Sequence, residues 1–369
     1  MTDTLANEDI LDHLAEIAPD SPLAAARITR DAATRHIQGS YQALFTAGDG
    51  IDFSLPERLE VARQVALWHG DSRLADFYAL RQAAPAAGSA RLEAALVHAQ
   101  LLSHRPAAAA AEHLADLRRA GWSLDAIVTL SQLVAFVSFQ SRLLRGYRLI
   151  NQRPVDTPSD QAAPAGRWRT GGTTRGGRTA PLAFTQRELG WEPWLAAKKL
   201  TEFTPQQQSV LVNNGHADSD YFRLLGRNLP VLEQRTLTDK GIFYTSGGLA
   251  RKERELAAAV ASKVNGCIYC ASVHARKAGQ LSKQPDDIQR LLDTPPGSVL
   301  SSGQSPRWQG IIDFAAALSA TPAVAGEQQL ARLRELGLSD LALLDLVQAT
   351  AFFAWANRLM LTLGEPFDE

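Results

Sequence analysis

The chain repeats itself, and that limits it to folds that one helical unit can build twice. Leu117-Arg118-Arg119-Ala120-Gly121-Trp122-Ser123 returns as Leu333-Arg334-Glu335-Leu336-Gly337-Leu338-Ser339, a displacement of 216 residues. At that displacement Ala126, Leu130, Gln132, Ala135, Phe136, Arg142 and Leu143 recur as Ala342, Leu346, Gln348, Ala351, Phe352, Arg358 and Leu359. Leu102, Ser103 and Pro106 likewise recur as Leu318, Ser319 and Pro322. Alanine-rich sequence can align with itself by composition alone, but not with Gly, Gln, Phe and Arg all in register, so the chain reads as a duplication. Earlier in each half the displacement is 195, pairing Glu60, Val65 and Ala66 with Glu255, Val260 and Ala261; unequal loops account for the change.

Alanine and leucine dominate, period-two runs of β-branched residues are few, and stretches such as 123–147 carry apolar residues at helical spacing. The expected fold is all-α. A length of 369 residues exceeds the usual span of one hydrophobic core. Between the repeats, residues 153–183 are rich in Gly, Pro, Thr and Arg with no apolar period, the composition of a linker or long excursion. The expected organisation is therefore a helical domain over 1–152, a linker over 153–183 and a second helical domain over 184–369.

A formal net charge of -1 supplies no field for nucleic acid or an anionic membrane. The first residues lack a basic start followed by an apolar run, and no segment approaches ~18 uninterrupted apolar residues. These features suggest a soluble, cytoplasmic protein with neither nucleic-acid nor membrane partners. In such a chain, two cysteines set two residues apart point to catalysis or metal binding before structural bridging.

Those cysteines, Cys267 and Cys270, lie in the second half with His274 four residues beyond and Glu255 twelve residues before. Residues 251–264 read as a helix, Asn265-Gly266 as its left-handed stop, and Cys267 onward as the start of the next helix. Offsets of three and seven residues return Cys270 and His274 to the helix face of Cys267, so the three side chains can share a cavity. Unpaired N–H groups at a helix start favour thiolate, which on local grounds makes Cys267 the more acidic thiol, while Cys270 stands one turn from the His274 base. Glu255, arriving from the preceding helix, can orient His274 and stabilise it when protonated. A thiolate beside a second thiol can attack a peroxide O–O bond, pass through a sulfenic acid and close a disulfide, with no metal, flavin or haem required. Zinc is the competing use of such residues, but only three ligands are local, and a fourth from His216 depends on the fold.

By the repeat, Ser72, Ala75 and Ala79 take the places of Cys267, Cys270 and His274, which leaves Glu60 as a structural carboxylate and confines chemistry to the second half. Arg142 and Arg358 are expected to serve packing or ion pairing, and Phe352, Phe353 and Trp355 the core or a subunit interface. The Gly-Arg tract from Gly166 to Arg178 is expected as exposed linker. His13, His36, His69, His98, His104 and His113 form no ligand-spaced cluster.

The pattern Glu255-x11-Cys267-x2-Cys270-x3-His274, with the string Val-Asn-Gly-Cys-Ile-Tyr-Cys-Ala-Ser-Val-His in an alanine-rich helical setting, resembles the alkylhydroperoxidase D-like branch of the carboxymuconolactone decarboxylase-like superfamily. Tyr221-Phe222-Arg223-Leu224-Leu225-Gly226-Arg227-Asn228 and Ala356-Asn357-Arg358-Leu359 also resemble that branch's peroxidase-related members, so the likeness runs from about Asp218 to Pro366. It implies two tandem alkylhydroperoxidase D-like domains, the first a degenerate copy. It further implies a thiol-dependent peroxidase with peroxidatic Cys270, resolving Cys267 and a Glu255–His274 proton relay. Some members place a histidine between the cysteines; Tyr269 stands there in this chain. The implied partners are a hydroperoxide, a protein or lipoyl-type dithiol donor, and further copies of the chain in a homo-oligomer; no cofactor is implied. The alternatives are a general dithiol-disulfide oxidoreductase and a non-catalytic assembly or binding module.

Overall fold

A computed structural model describes residues 9–46, 48–82, 86, 88–157, 166 and 171–369. The first half folds into α1 (Ile10–Leu14), α2 (Pro22–Thr29), α3 (Asp31–Leu44), α4 (Leu55–Trp68), α5 (Ser72–Ala79), α6 (Ala90–His104), α7 (Ala111–Arg119) and α8 (Leu124–Ile150). In the second half come α9 (Pro205–Asn213), α10 (Asp220–Leu225), α11 (Leu229–Phe243), α12 (Arg251–Asn265), α13 (Ile268–Ser282), α14 (Pro285–Asp293), α15 (Pro306–Ser319), α16 (Glu327–Glu335) and α17 (Asp340–Thr362). The protein is all-α as expected, apart from one small antiparallel ribbon in which β1 (Leu189–Pro193) pairs with β2 (Gly364–Asp368).

The duplicated residues build duplicated local structure. Gly121 and Gly337 both adopt positive φ, 91° and 82°, where a side chain would be strained, and so end α7 and α16 alike. Two residues on, Ser123 and Ser339 accept the backbone N–H groups of Ala126 and Ala342 and start α8 and α17. These two long helices are buried along almost their whole length. Alone, α8 is long and apolar enough to cross a membrane, yet its apolar window is entirely inside the protein.

Helices α8 and α17 pack antiparallel on each other, and their contacts exchange under the repeat. Phe136 meets Trp355 with ring centroids 5.2 Å apart, and their counterparts Phe352 and Phe139 meet at 6.0 Å. Arg142 donates to the Ser319 carbonyl at 3.2 Å, and Arg358 donates to the Ser103 carbonyl at 2.9 Å. Each guanidinium also donates to a carbonyl one turn back on its own helix, Ser138 and Ala354. Burial pulls both arginines below their ordinary value, Arg142 to about 9. Both are therefore packing residues that stitch the halves together through carbonyl oxygens. A second pair, α3 and α11, crosses the same seam, with His36 Nδ1 2.9 Å from Gln234 Oε1. One apolar core thus runs through both repeats.

Matching arginine frames fix the register between α4 and α12. Arg58 donates to the carbonyls of Phe53 and Leu44; Arg254 donates to those of Leu249 and Ile242. The displacement that relates them is 196, one more than the sequence alignment suggested. Leu59, not Glu60, therefore stands where Glu255 stands, while Glu60 bonds to Arg63 and Gln82 away from that position.

Of the Gly/Pro/Arg-rich segment, residues 158–165 and 167–170 lie outside the described residues. Its described parts are tied down rather than free. Asp156 accepts the backbone N–H and the hydroxyl of Ser72 at the start of α5, and Gly166 donates to the Val264 carbonyl at 2.7 Å. Further on, Arg178 lies over the Phe367 ring, 4.0 Å from its centroid.

With the rings of both halves in one cluster, the two repeats should unfold together. Phe139→Ala is expected to cost about 3–5 kcal/mol. Urea titration followed by tryptophan fluorescence and by circular dichroism should give one coincident transition, shifted down in the variant. A separate early transition for the first half would contradict this.

Candidate functional site

Two consecutive helices place the chemistry. The last turn of α12 closes on Gly266, whose φ of 80° reverses the chain, and the Cys267 N–H then donates to the Ser262 carbonyl at 2.8 Å. Cys267 is the N-cap of α13 rather than part of its first turn; Cys270 lies in that turn and His274 one turn beyond. Because α13 folds back along α12, Glu255 reaches His274: Oε2 and Nδ1 are 2.6 Å apart. The other Glu255 oxygen accepts from Arg251 Nε at 2.5 Å. All four expected residues thus meet in one place. The two cysteines are unbridged and nearly sealed from solvent, Cys267 at 1% and Cys270 at 5% exposure.

The two sulfurs are not equivalent. Burial pushes the Cys270 thiol up, but the hydrogen bond from Cys267, the charge on His274, the Asn357 amide and the charge on Arg235 outweigh it and bring Cys270 below its ordinary value. For Cys267, burial and the hydrogen bond it gives to Cys270 act in the same direction and hold it well above. The Cys270 backbone N–H at the helix start does lower Cys267, but that contribution is the smaller one. The local argument for Cys267 as the more acidic thiol is therefore corrected: the electrostatics favour thiolate at Cys270 and thiol at Cys267.

The acid-base pair is polarised in the matching way. Burial lowers His274, but the hydrogen bond and charge of Glu255 raise it above its ordinary value. Burial raises Glu255, while His274 and Arg251 bring it below its own. The Phe353 ring stands edge-on to the imidazole with centroids 4.3 Å apart, and Phe243 closes the other side at 6.0 Å. Phe353 is thus core and site wall at once.

Several residues that the sequence reading left without a role complete the site. Asn357, on α17, is held by the Ser262 hydroxyl and the Asn265 amide at 3.0 Å each, and its own amide serves both sulfurs. Arg235 and Asp239 approach from α11, and Tyr221 from α10. Burial raises Asp239 and Tyr221 above their ordinary values. Asn357 and Tyr221 lie inside strings that carried the family resemblance; Arg235 and Asp239 gave only the four-residue spacing of one helix face.

His216 does not join the cysteines. Its Nε2 pairs with the Thr236 hydroxyl at 2.8 Å and its ring stacks on Phe222 at 3.6 Å. Among the described residues no three His, Cys, Asp or Glu side chains are placed to hold a metal. His98, His104 and His113 do line one cavity, of about 510 Å³.

The corrected register identifies what fills the corresponding place in the first half. Asp71, not Ser72, matches Cys267: it is the N-cap of α5 and accepts from Leu74 N–H at 3.0 Å. The Ser141 hydroxyl bonds Asp71 as the matching Asn357 bonds Cys267, and burial pushes Asp71 up to about 6. Leu74 and Tyr78 stand for Cys270 and His274, the Tyr78 hydroxyl donating to Gln140 Oε1 at 2.5 Å. These residues provide no thiol and no imidazole.

Residues 230–294, a span that includes Glu255, Cys267, Cys270 and His274, match the carboxymuconolactone decarboxylase family. No curated protein matches the chain. Among solved structures it is similar to the alkylhydroperoxidase AhpD core of an uncharacterized peroxidase-related protein from Ralstonia eutropha, at 22% identity and a TM-score of 0.38, over 44% of this chain and 86% of that one. It is also similar to an uncharacterized peroxidase-related protein from Silicibacter sp., at 23% identity and a TM-score of 0.39, over 48% of this chain and 94% of that one.

The Glu255–His274 pair ties stability to pH. Raised His274 contributes stability fully present below its ordinary value of 6.5 and lost as pH climbs through the raised value. Lowered Glu255 contributes stability present above its ordinary value of 4.5 and lost as pH falls through the lowered one. Glu255→Gln should therefore cost most between these values, about 2 kcal/mol near pH 5.5, and distinctly less near pH 9. Urea midpoints of both proteins at the two pH values would measure this; an equal loss at both would count against a charged pair.

Proposed function

We propose that the segment matching the carboxymuconolactone decarboxylase family forms a thiol-dependent peroxidase centre that reduces hydroperoxides. The observation that carries this reading is geometric: two buried, unbridged cysteines at the start of the helix that carries His274, whose Nδ1 lies 2.6 Å from the Glu255 carboxylate, with Cys270 lowered and Cys267 raised from their ordinary values. The Cys270 thiolate attacks the outer peroxide oxygen, the O–O bond breaks, and the departing alkoxide takes a proton from His274. Glu255 stabilises the imidazolium before that transfer and orients the neutral ring after it. The Cys267 thiol then attacks the Cys270 sulfenic acid; a disulfide forms and water leaves. A dithiol donor returns the centre to its reduced state by two exchanges and is itself oxidised.

Exposures of 1% and 5% at the sulfurs favour a small hydroperoxide over a protein disulfide as oxidant. They also favour a dithiol on a slender arm, of lipoyl type, as reductant. The first half, with Asp71, Leu74 and Tyr78 in the corresponding places, serves folding and assembly in this reading. The assembly would be a homo-oligomer in which the duplicated chain stands for a pair of subunits.

One equivalent of hydroperoxide should remove two titratable thiols per chain and produce the Cys267–Cys270 disulfide in peptide mass spectrometry. Cys270→Ser should abolish peroxide consumption. Cys267→Ser should consume one equivalent, stop, and yield a sulfenic acid trappable with dimedone. Thiols that persist in the wild type under excess peroxide would overturn the reading.

A further inference from the structure

Helices α6 and α7 frame a cavity of about 510 Å³, a size usual for small-molecule sites, with Ala94, Val97, Leu101 and Leu117 as its apolar wall. The repeat shows why it is open. At the displacement of 216, α6 and α7 correspond to α15 and α16, and Ser103 and Ser319 both donate one turn back, to the carbonyls of Ala99 and Ala315. In the second half Leu336 packs so closely on Gly310 that a Cβ there would lie 2.6 Å from its Cδ1. Ala120 and Ala94 stand in those two places in the first half, and an alanine cannot reach across the groove.

One polar group on this wall has no partner. His98 is 3% exposed and takes the place of the fully buried Phe314. Its Nε2 lies 3.5 Å from the Ser131 hydroxyl, which already donates to the Ile127 carbonyl at 2.9 Å and so can only accept. Nε2 therefore carries the ring proton. Burial pulls His98 down to about 3, with His113 adding to the effect, so the ring is neutral near pH 7. That leaves Nδ1 as a bare acceptor, buried and without a hydrogen-bond partner among the described residues. His113 lines the same cavity. Its Nδ1 accepts the Ala110 N–H at 2.9 Å, as Gln329 Oε1 accepts the Gly326 N–H at 3.1 Å, so its proton also sits on Nε2.

We propose that this cavity binds a small uncharged molecule that joins an apolar body to a hydroxyl group, the hydroxyl donating to His98 Nδ1. A hydroxyl donates and accepts through one oxygen, which suits a cavity lined by a bare imidazole nitrogen and an imidazole N–H. An anion would meet the lone pair of His98 and the Asp116 carboxylate; a cation would meet Arg105. Either would lose its hydration against an apolar wall. Among the described residues these imidazoles are not placed to share a metal. The site lies in the repeat without thiols, and the proposal does not rest on the peroxidase reading.

The test uses the full chain with isotope-labelled histidine and phenol as the probe, read by proton–nitrogen NMR of the imidazole rings. The His98 signals are identified by their loss in His98→Phe. Without phenol His98 should show the Nε2–H tautomer, and millimolar phenol should shift its Nδ1 signal saturably. Anisole, whose oxygen cannot donate, should bind about tenfold more weakly in equilibrium dialysis. His98→Phe installs the side chain of the matching place in the second half and should weaken phenol binding about tenfold. Ala120→Leu restores the side chain that closes the other groove and should abolish binding. No Nδ1 shift in the wild type overturns the proposal, whether the cavity is simply empty or covered by a second copy of the chain. Equal affinity for phenol and anisole overturns it, as does a preference for benzoate or benzylammonium over phenol. Should His98→Phe fail to fold, Ala120→Leu and the anisole comparison carry the test; phenol binding unchanged by Ala120→Leu places the probe elsewhere and overturns it.

Discussion

The contact between α8 and α17 is the constraint on which the remaining structure depends. Two long apolar helices bury each other at the seam of the repeat, and the elements that make the site are hung on that seam. Asn357 reaches the sulfurs from α17, and Phe353 of the same helix stands against His274. Arg358, next in the chain to Asn357, is anchored to the Ser103 carbonyl of the other half. The amide beside the thiols thus sits next in the chain to a bond that crosses to the other half. This coupling makes the sequence halves less independent than their linker-like joint suggests.

Within the site, the short distance between Glu255 and His274 decides how the remaining charges arrange themselves. A buried carboxylate next to an imidazole raises the ring above its ordinary value, and the charge on His274 in turn lowers the Cys270 sulfur one turn earlier on the same helix. Cys267 responds in the opposite sense, because a thiol that donates to its neighbour loses more by ionising. The opposite shifts of two identical side chains follow from their partners more than from their positions relative to the helix dipole.

Much of this was legible in the residues. The repeat, the helical class, the left-handed stop at Gly266 and the convergence of Glu255, Cys267, Cys270 and His274 all follow from local rules of spacing and capping. What escaped notice depends on contacts between distant segments. Arg235 and Asp239 come from a helix whose pattern shows a face but not what it faces. The register of α4 against α12 slipped by one because alanine and valine align almost equally well at either offset, whereas the arginine frames that settle it are made of backbone carbonyls. The dipole argument for Cys267 lacked the burial and the S–H donation that outweigh it. The described parts of the Gly/Arg segment looked unattached because hydrogen bonds made by backbone groups, such as Gly166 to Val264, leave no mark on composition.

The reciprocal arginines tie the two repeats to each other in matching fashion. Arg142 reaches across to the Ser319 carbonyl and Arg358 to the corresponding Ser103 carbonyl, so each repeat holds one end of a bond from the other. No such reciprocal contact ties the places of Glu255, Cys267, Cys270 and His274 to the upstream repeat, where Leu59, Asp71, Leu74 and Tyr78 stand. The two repeats are thus alike where they touch each other and unlike where each looks inward, so a frame held from both sides can surround two quite different interiors.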